Sequence, residues 1–151
     1  MENPFDFIEF RLDADKKLLY GKWLRDVNNA EYQSGLKYTY ELIKDNAITR
    51  WLQNSTHLSP RALEDQKWVA EDFGLMLTQS PIKYIATVVP ANSLHYPVLL
   101  SLREKAYRIF GKTKFMEIFE TEEEALAWLI PNMQFYRLPA KILVPNTNHT
   151  L

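Results

Sequence analysis

The chain has 151 residues, the length of one domain, with 18 basic residues against 19 acidic ones and a formal charge of −1. Lysine and arginine are spread along the chain among the acids. We therefore expect no nucleic-acid partner, because phosphate binding needs a concentrated positive field. The chain has no cysteine, which excludes disulfides, iron–sulfur clusters, thiolate zinc sites and cysteine nucleophiles.

The first residues bear on the cellular address of the protein. Residues 1–6 lack the basic segment and apolar run of a secretory signal. The apolar runs of the chain are far shorter than the roughly 20 residues that span a bilayer. We therefore expect a cytoplasmic protein with no transmembrane segment.

Two β-like segments open the chain. Residues 5–12 alternate, with Ile8 and Phe10 on the apolar side, which indicates a strand. Residues 13–16 are polar and turn-forming, and a second apolar run follows at residues 18–24. This pattern predicts an antiparallel hairpin.

A helix and a strand follow the hairpin. Residues 26–29 offer helix caps, and apolar side chains then recur every three or four residues. Residues 29–45 are therefore predicted to form an amphipathic helix. A strand over residues 48–53 leads into the hydroxyl-rich loop 54–59.

Ser59 and Pro60 have the pattern of a second helix start, with serine as N-cap and proline at the first helical position. The expected inward face of this helix consists of Ala62, Gln66, Val69, Phe73 and Met76. Ser80 and Pro81 end it.

The remaining elements are a buried strand, a helix, a strand and a short helix. Residues 82–89 are almost continuously apolar and β-branched, which predicts a strand buried on both faces. The next helix ends near Gly111, and a strand follows at residues 115–119. Thr121 and Glu124 match a capping box at the start of the last helix.

The predicted order is β-β-α-β-α-β-α-β-α, which is typical of an α/β protein with a mainly parallel sheet and an N-terminal antiparallel hairpin. We assign residues 1–130 to this domain. Residues 131–151 form a C-terminal tail with a polar end, but its segments 135–138 and 142–144 are too apolar to stay solvated. We expect it to dock on the domain or on a second subunit.

Three local features accompany this element order: Trp51 in the third strand, Ser59 and Pro60 before the next helix, and the run 119–129 with its acidic helix start and Trp-Leu pair. On these features, residues 5–130 resemble the STAS family and its bacterial SpoIIAA-like members, the anti-sigma-factor-antagonist fold. The resemblance implies a non-enzymatic regulatory module that works through contacts with a protein partner.

The resemblance also implies a switch loop. In regulatory STAS domains a partner kinase phosphorylates a serine between the third strand and its following helix, within an Asp-Ser-Ser/Thr-Gly-like motif. That junction holds Ser55, Thr56 and Ser59 here, without the Asp-Ser pair and without the glycine. Ser59 at a helix N-terminus would hold a phosphate well, and the structural alternative is that it only caps the helix.

Catalytic, metal and cofactor motifs are not found in the sequence. The histidines at positions 57, 95 and 149 match no metal-ligand spacing and are expected to be ordinary surface or loop residues. Residues 122–124 are explained by the capping box. The four glycines form no phosphate-binding loop, and no nucleophile elbow occurs. We expect no catalytic residue, no metal and no cofactor.

Aromatic side chains offer a second type of candidate site. Trp68 lies off the apolar stripe of its predicted helix, and exposed aromatics are typical interface anchors. An interaction face or an apolar-ligand face would comprise Trp68, Phe73, Tyr32 and Tyr38. The structural alternative is that these side chains simply pack in the core.

Two functional hypotheses follow from these patterns. The first is a STAS-like regulatory or protein-interaction module, and we expect a homodimer with the tail in its interface. The alternative is a carrier or sensor of an apolar small molecule or lipid. An enclosed cavity would favour the alternative, whereas a flat apolar patch outside the helices would favour the first.

Overall fold

The computed structural model describes residues 3–111, 114–133, 136–139 and 142–143. The first half of the chain forms β1, β2, α1 and β3, which span Ile8–Asp13, Leu18–Trp23, Asn29–Asp45 and Arg50–Asn54. One helix with three sections follows: α2 (Leu63–Trp68), a π-helical turn (Val69–Phe73) and α3 (Gly74–Thr78). The remaining elements are β4 (Tyr84–Val88), α4 (His95–Phe110), β5 (Phe115–Phe119), α5 (Glu122–Leu129) and β6 (Ile142–Leu143).

In the described residues the strands form a single mixed sheet in the order β5-β4-β3-β2-β1-β6. β1 runs antiparallel to both of its neighbours, and β2, β3, β4 and β5 are parallel to one another. The predicted α/β architecture with an N-terminal hairpin is therefore confirmed. β4 lies between β3 and β5, and its residues from Ile85 to Val88 are buried, as the apolar run predicted.

The two faces of the sheet are covered by different helices. Trp51 and Ile85 pack with α1 and with the helix of residues 63–78, and α4 closes the same side; we call this side the α4 face. The alternating residues Leu52 and Ala86 pack against α5 on the other side, which we call the α5 face. Successive side chains of a strand point to opposite faces, so both layers depend on the same strands.

Helix α1 begins where its polar residues predicted. Asn28 accepts a hydrogen bond from the Glu31 amide at 2.8 Å, and Glu31 accepts one from the Asn28 amide at 3.0 Å. This reciprocal pair is a capping box. Within the helix, a Cβ on Gly35 would lie 2.7 Å from the Trp23 ring. A glycine is required there because the ring packs directly on the helix backbone.

The predicted helix start at Ser59 and Pro60 is wrong. Helix α2 begins at Leu63, and Ala62 occupies the N-cap position without a side-chain hydrogen bond. The Ser59 amide and hydroxyl both donate to the Asp26 carboxylate, at 3.0 and 2.6 Å. Ser59 is thus tied to Asp26, residues 59–62 have no regular secondary structure, and Ala62 has an extended backbone.

The predicted inward face of this helix is correct in part. Phe73 is buried as expected, whereas Ala62 is exposed and precedes the helix. Asp65, an acidic residue in the first turn, is instead fully buried. A π-helical turn adds a residue to one turn, which changes the side of the helix that faces the sheet. At α5, Thr121 is the N-cap as predicted, but the Glu124 carboxylate accepts from the Thr121 hydroxyl rather than from its amide.

The described part of the tail contacts its own domain. The Tyr136 hydroxyl donates to Asp13 at 2.6 Å, and Arg11 donates to the Pro139 carbonyl at 3.4 Å. β6 pairs with β1 at the sheet edge. The rest of the predicted tail, including Phe135 and residues 144–151, lies outside the described residues.

Candidate functional site

A cavity of about 120 Å³ lies on the α4 face, between the sheet and the helices that cover it. Most of the side chains around it are apolar. They come from β3, α3, α4 and the π-helical turn and include Trp51, Phe73, Leu77, Leu99, Leu102 and Phe110. Cavities of this kind, with an apolar wall and a few polar groups, are the usual form of a small-molecule site.

The π-helical turn forms one wall of the cavity through Val69, Ala70 and Phe73. π-helical turns are rare and occur often at functional sites. The next residue, Gly74, packs against α4 so closely that a Cβ there would lie 2.6 Å from the Phe110 ring. The wall therefore depends on an irregular turn followed by a residue with no side chain.

Thr87 is the polar side chain that stands out on the sheet side of the cavity. It belongs to the buried strand β4 and is 0% exposed. Among the residues that the structure describes, its hydroxyl has no hydrogen-bond partner. Gln53 is paired with Thr87 on the neighbouring strand and also lines the cavity. The Gln53 side-chain oxygen already accepts from the Trp23 indole at 3.1 Å.

Two cations also line the cavity, Lys114 just before β5 and Arg103 on α4. The Lys114 ammonium donates to the carbonyls of Ser80 and Ile82, at 3.1 and 2.7 Å, and burial lowers the pKa of Lys114. Arg103 pairs with Glu117 at 3.0 Å. The Lys114 ammonium is thus held by carbonyls, whereas the Arg103 Nε is buried and has no hydrogen-bond partner among the described residues.

A second group of polar side chains lies near the carboxyl ends of β3 and β4, where ligands of α/β sheets usually bind. We call Asp26, Ser59, Arg61, Asp65 and His95 the carboxyl-edge cluster. The Arg61 side chain is 5% exposed and pairs with Asp65 at 2.8 Å and with Asp26 at 3.3 Å. Its guanidinium also lies over the Tyr32 ring, 4.4 Å from the ring centre, which adds a cation–π attraction.

The electrostatics of this cluster follow from its burial. Burial lowers the pKa of His95 to about 4, and the charge of Arg61 acts in the same direction, so the imidazole is neutral near pH 7. Burial raises the pKa of Tyr32. Desolvation acts to raise the pKa of Asp26, but the hydrogen bonds from Ser59, with the charge of Arg61, hold it below its usual value.

The carboxyl-edge cluster is mainly structural in character. Arg61 joins the extended segment before α2 to the Tyr32 ring and to Asp65, so it holds this segment against α1. His95 and Ser55 carry side-chain atoms without a hydrogen-bond partner in the described part of the chain, but both residues are about 1% exposed. Neither residue lines the cavity of the α4 face, so neither side chain is placed beside a molecule bound there.

The switch-loop residues predicted from the sequence do not form one site. Ser55 is buried, whereas Thr56 is exposed and its hydroxyl donates to Asn54 at 2.6 Å. Ser59 is exposed and bound to Asp26. The three hydroxyl groups are therefore in three different environments.

The predicted aromatic face is divided. Tyr32 and Phe73 both line the cavity, and Trp68 stacks on Phe73 with ring centres 5.7 Å apart. Tyr38 instead contacts the rings of Phe5 and Phe10. The structure thus brings Tyr32, Phe73 and Trp68 together around one region and places Tyr38 elsewhere.

Sequence reasoning missed several residues of both sites. His95 was expected at the surface or in a loop and is instead buried in the first turn of α4. Glu122 was explained by helix capping, yet its carboxylate accepts from Tyr20 at 2.6 Å and from Asn54 at 2.7 Å. For Thr87 a signal was visible, since it is a hydroxyl residue within the apolar run 82–89.

The described residues contain neither a metal-binding group of side chains nor a helix that could span a membrane. Among them, no group of three histidine, aspartate or glutamate side chains is arranged to hold a metal ion. No helix within the described ranges has the length and apolar character needed to cross a bilayer. Comparison of the chain with protein-family models, curated proteins and solved structures found no match.

Proposed function

We propose that this protein is a non-enzymatic binding module, a carrier or sensor, whose ligand is a small apolar molecule held in the cavity of the α4 face. The observation that supports this proposal is the cavity itself, with its apolar wall from β3, α3, α4 and the π-helical turn. Apolar surface removed from water supplies the binding free energy at such a site.

The size of the cavity limits the ligand. Its volume of about 120 Å³ is close to the roughly 150 Å³ of an engineered apolar cavity that takes up benzene. A single aromatic ring or a short aliphatic chain fits this space. A long lipid chain would require the walls to separate.

The proposal is tested by filling the cavity. Ala106 lines the cavity on α4, and Glu104 is exposed on the same helix. We expect toluene to raise the melting temperature of the protein, because a ligand that binds only the folded state stabilises it. Ala106→Leu should abolish the shift, and the matched control Glu104→Leu should keep it. The proposal is overturned if toluene has no effect, or if Ala106→Leu responds like the unaltered protein.

A second candidate function is the STAS-like regulatory module that the sequence resemblance implies. The exposed Ser59 hydroxyl lies 2.6 Å from the Asp26 carboxylate. A phosphate on Ser59 would repel Asp26 and release the segment before α2. Leu63 and Leu94, each 80% exposed, lie at the starts of α2 and α4 and offer apolar surface to a protein partner.

The regulatory candidate predicts a charge effect at Ser59. Ser59→Asp should lower the melting temperature more than Ser59→Asn, because only the aspartate repels Asp26. Mass spectrometry of the protein from its own cells should then find phosphate on Ser59, Ser55 or Thr56. Equal stability of the two variants, with no phosphopeptide, would remove this candidate.

Cellular address and assembly belong to the same proposal. The lack of cysteine fits a reducing compartment such as the bacterial cytoplasm, and the SpoIIAA-like resemblance points to a bacterial source. We also propose a homodimer in which residues 131–151 exchange between subunits and replace contacts such as Tyr136 to Asp13. Light scattering at high micromolar concentration tests the dimer, and deletion of residues 131–151 tests the role of the tail.

A further inference from the structure

Thr87 carries a hydroxyl group in a place where packing alone does not require one. It lies in the middle of the sheet, on the buried strand β4, and is 0% exposed. Within the described residues its Oγ1 has no hydrogen-bond partner. Burying an unpaired hydroxyl is unfavourable, and nearly all buried polar groups are hydrogen-bonded.

The ordinary explanation for a threonine in a strand is its β-branched shape. Valine has the same shape without the hydroxyl, and the same strand uses Val88 beside it. The hydroxyl therefore adds nothing to packing that valine would not supply. Thr87 lines the cavity, so its hydroxyl lies next to the space that a bound molecule would fill.

The neighbouring polar groups restrict what that molecule could carry. Gln53 faces Thr87 across the β3–β4 pair, but its oxygen is already engaged by the Trp23 indole. The Lys114 charge is held by carbonyls and the Arg103 charge by Glu117, while the Arg103 Nε is a further buried donor without a partner among the described residues. A charged ligand group beside Thr87 would be buried next to neutral partners, which is strongly unfavourable.

We propose that Thr87 selects the ligand through a hydrogen bond; this proposal rests on the proposed function. The ligand is then a ring-sized or short-chain apolar molecule with one neutral hydroxyl group, such as an alcohol or a phenol. A threonine hydroxyl can donate and accept, and so can the hydroxyl of the ligand. The cavity binds the apolar body, and Thr87 distinguishes it from a pure hydrocarbon of the same shape.

The test compares phenol with toluene, which have nearly the same shape and differ in the hydroxyl. Both probes are titrated into the full-length protein and into Thr87→Val and Thr87→Ser, with calorimetry as the readout. We expect Thr87→Val to weaken phenol binding roughly tenfold, the size of one hydrogen bond, and to leave toluene binding nearly unchanged. Thr87→Ser keeps the hydroxyl and should retain most of the preference for phenol.

Folding of the variants is not a confounding factor in this test. Thr87→Val removes an unpaired hydroxyl and keeps the side-chain shape, so its melting temperature should equal or exceed that of the unaltered protein. If toluene binds but Thr87→Val leaves the ratio of the two affinities unchanged, the role of Thr87 is overturned and the proposed function stands. If neither probe binds the unaltered protein, both proposals fail.

Discussion

The two faces of the sheet are formed by the same strands, but the helices that cover them pack differently. On the α5 face, Leu52 and Ala86 meet a short helix directly, within one apolar cluster. On the α4 face, Trp51 and Ile85 meet a helix interrupted by a π-helical turn, and a cavity is left between them and α4. The difference shows that strand pattern alone does not determine how densely a face is filled.

The two faces also differ in their buried polar groups. The α4 side holds the ion pair of Arg61 and Asp65, the neutral His95 and the unpaired hydroxyl of Thr87. The α5 side is joined at one edge by Glu122, which accepts from Tyr20 and Asn54. Burying polar groups is unfavourable unless they are paired. Their concentration on the α4 side therefore indicates that this side is the candidate for function.

The largest expected effect comes from the buried ion pair. Asp65→Ala would leave the buried Arg61 charge with only the more distant Asp26 carboxylate, at 3.3 Å, and the Tyr32 ring, and we expect a loss of about 3 kcal/mol in the free energy of unfolding. Glu122→Ala should cost less, about 1.5–3 kcal/mol. Urea unfolding measures both variants. The double variant Arg61→Leu with Asp65→Leu should recover much of the lost stability. If Asp65→Ala costs less than about 1 kcal/mol, the buried polar groups of the α4 side do not distinguish it from the α5 side.

The next effect concerns packing density. Leu129 is buried in the apolar cluster of the α5 face, whereas Leu99 borders the cavity. Leu129→Ala should cost about 2–5 kcal/mol. Leu99→Ala should cost roughly 1 kcal/mol less, because a side chain beside a void already lacks partner atoms on one side. Equal losses in urea unfolding would show that both faces are packed to the same density.

The smallest expected effect is a pH dependence on the α4 side. The pKa of His95 is lowered to about 4 in the folded protein from a usual value of 6.5. Between these two pH values, His95 is protonated in the unfolded chain but stays neutral in the folded protein. The free energy of unfolding therefore decreases as the pH falls from about 6.5 to about 4. Between pH 7 and pH 4.5 this residue should account for about 2 kcal/mol.

The His95 contribution can be separated from that of the carboxylates by substitution. In His95→Gln, the free energy of unfolding measured with urea should fall by about 2 kcal/mol less between pH 7 and pH 4.5 than in the unaltered protein. His57→Gln, at an exposed position, should not change this pH dependence. Asp26 and Arg61, the charged groups that act on His95, are present in both variants. An unchanged slope in His95→Gln would refute the buried neutral imidazole.

The agreement between sequence and structure was closest where the pattern was local. Residues 29–45 were predicted as a helix from their cap and their apolar spacing, and α1 has these bounds. The apolar run 82–89 predicted a strand buried on both faces, and β4 is such a strand. Both features depend on periodicity and capping, which act between residues close together in the chain.

The disagreements arose where a distant residue intervened. Ser59 had the local pattern of a helix cap, but Asp26, 33 residues away, takes its amide and hydroxyl. Asp65 was not part of the predicted inward face, yet Arg61 pairs with it in the interior. Local preferences are worth about 1 kcal/mol each, and a charge-assisted contact can exceed them.

The sequence by itself determined the α/β class, the order of the elements and the buried central strand. These features depend on hydrophobic periodicity and turn residues, which are local properties of the sequence. Only the tertiary structure decided that one face holds a cavity, that Thr87 lines it and that Arg61, Asp65 and His95 are buried near the carboxyl ends of the strands. The physical reason is that a void and a buried charge are defined by distances between separate elements. Those distances depend on a π-helical turn and on glycine contacts such as Gly74 with Phe110, which no periodic pattern specifies.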